Sequence, residues 1–177
     1  MDAALTASPA TVGPDALRSA MGHFATGVTV VTALDEGGAP LGSTANAVTS
    51  VSLRPPLILV SLRHESETLA ALVRSCRFAV NVLHEGQEWL AARFARRGAG
   101  PWREVRWSAG AGGAPLIEDA LATLECDVHD LADGGDHRIV VGRVVAVDHP
   151  DDHVPPLLFY RGGYAALAPR AGARPTA

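Results

Sequence analysis

The run Ala122-Thr123-Leu124-Glu125-Cys126-Asp127-Val128-His129 alternates apolar and polar side chains at every position. That period of two is the pattern of a strand with one face in a core and the other toward solvent. The turn residues Asp133-Gly134-Gly135-Asp136 follow, and His137 to Val147 is a second run rich in β-branched residues. Two such runs joined by a glycine-rich turn read as an antiparallel hairpin.

Working outward, the same signals recur. Val28 to Leu34 is β-branched, Asp35 to Pro40 is dense in turn residues, and Leu41 to Ser52 continues as a Thr/Ser/Val strand, making another hairpin. Shorter strands are predicted at Leu57 to Leu62, Phe78 to Leu83 and Leu157 to Tyr160. One helix opens at Pro14-Asp15, carries Leu17, Met21 and Phe24 at helical spacing, and ends at Gly27. Others run from Ser66 to Ser75 and from Glu85 to Arg96, the latter with Trp89, Ala92 and Phe94 as its apolar face. A glycine-rich loop from Gly98 to Pro115 carries Trp102 and Trp107. Strands outnumber helices and do not alternate with them, which excludes a doubly wound parallel sheet. The predicted class is mainly β, an antiparallel barrel with a few peripheral helices. It occupies residues 14–168, with a flexible N-terminus at 1–13 and a flexible tail at 169–177.

At 177 residues the chain suits one domain. All 15 of its basic residues are arginine. Without lysine there is no internal Schiff base and no P-loop ammonium, so pyridoxal-type enzymes and most ATPases, GTPases and kinases are excluded. A net charge of −4 gives no field for a phosphate backbone, so no nucleic-acid partner is expected. No apolar run approaches the roughly 18 residues of a membrane helix, and Met1 to Pro14 has no cationic leader, so no membrane and a cytoplasmic location are expected. Cys76 and Cys126 lie far apart in apolar-patterned segments and are read as buried thiols, not as a disulfide framework.

Three segments could carry chemistry. Gly42-Ser43-Thr44-Ala45-Asn46-Ala47 begins a stretch of small side chains, hydroxyls and one amide, suited to a ligand with many oxygens and ring nitrogens, or else simply a strand with a solvated polar face. Ser61-Leu62-Arg63-His64-Glu65-Ser66-Glu67-Thr68 runs from a strand into a helix start, where free amides, a guanidinium and hydroxyls favour a phosphate; alternatively Ser66 is only an N-cap, and Glu65 and Glu67 oppose an anion. His137 begins a strand after a glycine turn and is either structural or a hydrogen-bond donor and proton carrier. His149 and His153 flank Asp151 and Asp152, but Pro150, Pro155 and Pro156 make this a loop, and no metal is expected. There is no GxGxxG, GxSxG or HExxH, so a dinucleotide would bind outside a Rossmann unit.

Five segments in register carry a resemblance: Phe24-Ala25-Thr26-Gly27-Val28-Thr29-Val30-Val31, Ser52-Leu53-Arg54-Pro55-Pro56-Leu57, Arg77-Phe78-Ala79-Val80-Asn81-Val82-Leu83, Gly134-Gly135-Asp136-His137, and Leu157-Leu158-Phe159-Tyr160-Arg161-Gly162-Gly163-Tyr164. Together they resemble the short-chain flavin reductase family, with its FMN-binding split barrel, a Greek-key antiparallel β-barrel. The resemblance implies a homodimeric NAD(P)H:flavin oxidoreductase that reduces free FAD or FMN, prefers NADH over NADPH, and supplies reduced flavin to a partner flavin-dependent monooxygenase. It also implies that Gly42, Ser43, Thr44, Ala45, Asn46 and Ala47 lie along the flavin. Ser61, Leu62, Arg63, Ser66, Glu67 and Thr68 would hold its ribityl and phosphate groups, with Phe94 and Ala95 close by. His137, as the catalytic candidate, would lie by the nicotinamide with Arg161, Gly162 and Tyr164. Ala95 and Arg96 stand where relatives often carry glycine and a small polar residue. The alternatives are a split barrel that keeps FMN tightly bound and reduces another acceptor, and a non-catalytic flavin-binding or dimerisation module.

Overall fold

Strand pairing in the computed structural model, which describes residues 12–96, 98, 100–150 and 154–167, follows the hairpins legible in the sequence. The strands are β1 (Thr26–Gly27), β2 (Thr29–Leu34), β3 (Pro40–Ala45), β4 (Val48–Leu53), β5 (Pro56–Arg63), β6 (Arg77–Val82), β7 (Trp107–Ala109), β8 (Pro115–Ile117), β9 (Ala122–Gly134), β10 (His137–Asp148), β11 (Leu158–Tyr160) and β12 (Gly163–Ala165). The helices are α1 (Pro14–Met21), α2 (Glu67–Ser75) and α3 (Glu88–Phe94).

Seven strands form one antiparallel sheet in the order β3-β2-β6-β9-β10-β5-β4. Its two edge strands, β3 and β4, are consecutive in the chain and joined only through Asn46 and Ala47. A connection that short forces the sheet to curl until its edges meet, and the Ser61 amide donates to the Ala47 carbonyl at 3.0 Å, which carries the β4–β5 ladder up to the join. The result is the antiparallel barrel expected from the sequence. The long β9–β10 ribbon bends with it through register shifts at Val141/Gly142 and Val144/Ala146. Its turn places Gly135 at φ +77°, as a two-residue hairpin loop of this kind requires.

β2 is buried on both faces. Val31 and Ala33 point into the barrel with Val60, Leu72, Phe78, Val80 and Val140, while Val28 and Val30 join Leu83, Leu90, Phe94, Ile117 and Leu157 in an outer layer. Asn81, fully buried on β6, ties the layers together. Its amide nitrogen donates to the Val30 carbonyl and the Thr32 hydroxyl, and its oxygen accepts from the Ile117 amide at 2.8 Å. A buried amide satisfied on both ends holds β8 to the sheet without a desolvation penalty.

The structure corrects several expectations. α1 ends at Met21 with Gly22 as its C-cap, not at Gly27, which lies in β1; Leu17, Met21 and Phe24 stay exposed, with nothing among the described residues covering that stripe. Leu41 to Ser52 is two strands, not one, because the chain changes pairing partner from β2 to β5 at Asn46-Ala47. The helix predicted from Glu85 to Arg96 begins as a 3₁₀ turn at Glu85–Gln87 and buries Leu90, Ala91 and Phe94, whereas Trp89 faces out. The Gly98 to Pro115 segment contains β7, paired with β8. Glu125 was expected on the solvent face of β9, yet it is 5% exposed and accepts hydrogen bonds from the Ala111 and Gly112 amides at 2.9 and 2.8 Å. Cys76 is exposed, since it caps α2 in the left-handed region where the chain reverses into β6. Cys126 is buried, and that burial, followed by the charges of Asp127 and Glu125, pushes its thiol up to about 12.

No helix among the described residues is long and apolar enough to cross a membrane, and no cluster of His, Cys, Asp and Glu among them could hold a metal ion. Asp151, Asp152, His153, Arg97, residues 1–11 and the tail lie outside the described residues.

Two measurements check this packing. A Cβ added at Gly142 would sit 2.4 Å from Phe78 Cζ and 3.1 Å from Cys126 Cβ. Gly142→Ala is therefore expected to destabilise the fold by about 1–3 kcal/mol in urea unfolding. A thiol reagent should label one cysteine, Cys76, in the native protein and both after denaturation, because a neutral buried thiol is neither reachable nor nucleophilic.

Candidate functional site

β3 carries the first wall of the site. Gly42 faces the Phe94 ring so closely that a Cβ there would lie 2.7 Å from Phe94 Cε1. Phe94 is backed by Trp102, edge-on at 4.9 Å, and Trp102 by Trp107 at 5.9 Å, so the wall rests on an aromatic stack reaching to β7. Ser43 Oγ lies 3.2 Å from Ser66 Oγ and 2.9 Å from Thr68 Oγ1, which gathers three hydroxyls where α2 begins. The Thr44 hydroxyl donates to the Ala91 carbonyl at 2.7 Å and fastens β3 to α3.

The start of α2 explains part of that cluster. Ser66 is its N-cap and accepts from the Leu69 amide at 3.3 Å, with Glu67 in the first turn. Thr68 is buried against β3 while Arg63, Glu65 and Glu67 stay exposed.

Opposite lies the tip of the β9–β10 ribbon. His137 is the register partner of Arg63 on β5, so the two are cross-strand neighbours. The His64 ring nitrogen meets the Gly135 carbonyl at 3.0 Å, and the His64 amide donates to the Asp136 carbonyl, which pins the turn to the end of β5. His137 Nδ1 lies 2.7 Å from Asp136 Oδ1. That hydrogen bond first, and then the charge of His137, hold the Asp136 carboxyl below the usual carboxylate range. It also turns Nε2 of His137 into the free nitrogen of the ring. Tyr164 sits edge-on to Phe159 at 5.7 Å, and its phenol is raised by burial and then by Glu88. It therefore stays a neutral hydroxyl.

These walls enclose a cavity of about 720 Å³, a size that suits a large organic ligand. The stretch from Gly42 to Ala47 lines it, together with Ser61, Leu62, Arg63, Ser66, Glu67, Thr68, Phe94, Ala95, His137 and Tyr164. Arg161 and Gly162 do not. They form the β11–β12 turn at φ +50° and +81°, with the Arg161 amide donating to the Gly22 carbonyl at 2.9 Å. Val28, Leu41 and Phe159 also line the cavity without having been singled out, since their only sequence signal is hydrophobicity. Arg96 and Gly98 complete the rim. One end of the cavity thus offers hydroxyls and a guanidinium, and the middle offers apolar walls of small residues and rings. That donor set fits a flat, polar-edged ring system carrying a polyol and a phosphate.

The chain matches the Flavin reductase like domain family over residues 21–168 and belongs to that family. It is 46% identical to a flavin reductase (NADH) of Kitasatospora aureofaciens over 91% of this chain and 85% of that one. It is also 46% identical to a probable flavin reductase of Rhizobium meliloti, covering 85% of this chain but only 48% of that longer relative. Among solved structures it is similar to the Streptomyces globisporus NADH:FAD oxidoreductase SgcE6 in complex with NAD and FAD fragments, with a TM-score of 0.84, 40% identity and coverage of 92% and 99% of the two chains. Nitrilotriacetate monooxygenase component B from Mycobacterium thermoresistibile gives a TM-score of 0.84 at 38% identity, covering 90% and 89%.

The Asp136–His137 pair has a pH signature. A depressed carboxyl stabilises the fold above the ordinary aspartate range, and that contribution is lost as pH falls through the lowered value. Asp136 is fully exposed, so the effect on stability is small, but it is visible by site. In a carboxyl NMR titration Asp136 should titrate below an ordinary aspartate, and His137→Ala should return it upward.

Proposed function

We propose that the chain is an NAD(P)H:flavin oxidoreductase, NADH-preferring, that reduces free FAD or FMN and passes the reduced flavin to a partner monooxygenase. The observation that carries the reading is the cavity, with its hydroxyl-and-arginine end, its small-residue and aromatic walls, a histidine on the strand beside that arginine, and a tyrosine in its lining. The similarity to an oxidoreductase described as acting between NADH and FAD supports the substrates, and the similarity to a monooxygenase component supports the partner.

Flavin, when bound, supplies the ring that accepts hydride from the reduced nicotinamide. What remains for the protein is to hold two rings in contact and keep them oriented. Ser43, Ser66 and Thr68 offer hydroxyls to the ribityl and phosphate groups, and Arg63 offers its guanidinium. Gly42, Ala45 and Ala47 let backbone approach the ring edge, where amides and carbonyls can bond its heteroatoms. Phe94, held by Trp102, keeps one wall from collapsing inward. His137, held by Asp136 through Nδ1, would have Nε2 available to a nicotinamide carboxamide, and Tyr164 lines the same cavity.

The same reading includes a homodimer. Val51 and Leu53 on β4 and Val145 and Val147 on β10 are exposed apolar side chains. They lie toward one end of the two strands that flank β5, because Ser52 and Arg143 both pair with Leu57. A self-complementary contact there would cover them. The two cysteines, unpaired with each other, suit a reducing cytoplasm.

Adding free FMN or FAD to the protein with NADH should consume the near-ultraviolet absorbance of reduced nicotinamide, and gel-filtered protein should be colourless. Stoichiometric yellow flavin surviving gel filtration would favour a prosthetic group, and no NADH loss would favour a non-catalytic module. Arg63→Ala should raise the flavin KM by about tenfold, the range of one charge-assisted hydrogen bond. His137→Ala should change the KM for NADH or kcat; if both stay unchanged, its assigned role is wrong. Leu53→Asp should shift the protein to monomer in sedimentation.

A further inference from the structure

The charge around the phosphate end of the cavity is unusual for a pocket meant to hold an anion. Among its lining residues, Arg63 and Arg96 are opposed by Glu65 and Glu67. The two carboxylates flank Ser66, the N-cap of α2, in the part of the cavity where the hydroxyls of Ser43, Ser66 and Thr68 converge. Glu67 sits in the first turn of α2, where its own charge offsets the positive end of the helix dipole. Neither Glu65 nor Glu67 forms an ion pair among the described residues, so both carboxylates are open to a ligand's charge. Ser66 Oγ already accepts from the Leu69 amide, leaving its proton as the one it can offer. A phosphate here would find directional donors without a net positive field.

We propose that Glu65 and Glu67 set the discrimination between phosphorylated and unphosphorylated flavins, holding down the affinity for the 5′-phosphate so that the flavin exchanges with solvent. The inference rests on the flavin-reductase reading of this cavity and deepens it by assigning two residues that oppose binding rather than promote it. Hydrogen bonds from the hydroxyls and Arg63 orient the ribityl chain and phosphate. The carboxylates subtract from the strength of that hold without altering its geometry.

The size of the effect follows from Coulomb's law. One unit charge at roughly 6 Å in a water-like dielectric changes an equilibrium about threefold, and a dianionic phosphate about tenfold. Riboflavin has the same ring and ribityl chain without the phosphate, so it reports everything except this term.

The experiment is a fluorescence titration of FMN and of riboflavin into the full chain. It uses the unmodified protein, Glu65→Gln, Glu67→Gln, the double variant and the charge-retaining Glu67→Asp, at low and at about 1 M salt, where the Debye length falls to about 3 Å. The ratio of the FMN Kd to the riboflavin Kd should fall about three- to tenfold per carboxylate removed at low salt. It should fall much less at high salt and stay near the unmodified value in Glu67→Asp. Riboflavin binding also reports that each variant retains a folded site. A ratio unchanged in the double variant, an equal tightening of both ligands, or a fall of the same size in Glu67→Asp overturns the proposal. If the unmodified protein binds neither flavin, the reductase reading fails first and this inference with it.

Discussion

The two-residue join at Asn46-Ala47 is the constraint on which the rest of the molecule depends. It ties the outermost strands of a seven-stranded sheet to each other, so the sheet can only exist curled. Curling brings β3 and β5, which lie far apart in the strand order, close together at one seam, and the Ser61–Ala47 hydrogen bond carries the β4–β5 ladder up to it. That seam also lines the cavity, as Asn46, Ala47 and Ser61 all do. Barrel closure and site formation are therefore the same event, and a change that opened the seam would disperse the hydroxyls and the ribbon tip together.

Around the seam, the walls are fixed by contacts that leave the lining groups themselves available. Thr44 spends its hydroxyl on the Ala91 carbonyl, which holds α3 and so Phe94 in place. His64 fixes the glycine turn, leaving His137 with only Asp136 as its partner within the turn. Glu125 is buried to hold the loop beyond β7, whose Trp107 supports Trp102 behind Phe94. His64, Glu125, Trp102 and Trp107 stand outside the cavity lining, which is how a preorganised surface is kept without blocking it.

The hairpins were legible because their signal is local. Alternation and turn residues lie within about 25 consecutive positions, as in Ala122 to Val147. What the sequence concealed depended on distant chain. Glu125 reads as solvent-facing until the loop at Ala111-Gly112 folds over it, and the break in Leu41 to Ser52 is invisible without knowing that two different strands pair on either side. Cys76 illustrates the boundary case, where an apolar-patterned segment ends in a helix cap whose side chain belongs to neither face. At the site, polar residues could be singled out because hydroxyls, arginine and histidine stand out from a strand pattern. Val28, Leu41 and Phe159 could not, because an apolar residue facing a cavity and one facing a core look alike in one dimension. Arg161 and Gly162 came from family resemblance alone, and the strained turn they form is set by the backbone, away from the cavity wall.

The absence of lysine bears on this same site. Arginine offers a planar fork that binds phosphate directionally, whereas lysine acts as a compact, mobile charge. In a cavity lined by two arginines and two glutamates the formal charges balance, and what remains is geometry. Hydride transfer between two stacked rings needs alignment far more than it needs a charged residue at the reacting atoms. On the proposed function, a site that orients its ligand more than it attracts it would match that requirement, since a flavin taken from solution and returned reduced would have to be aligned and released in each cycle.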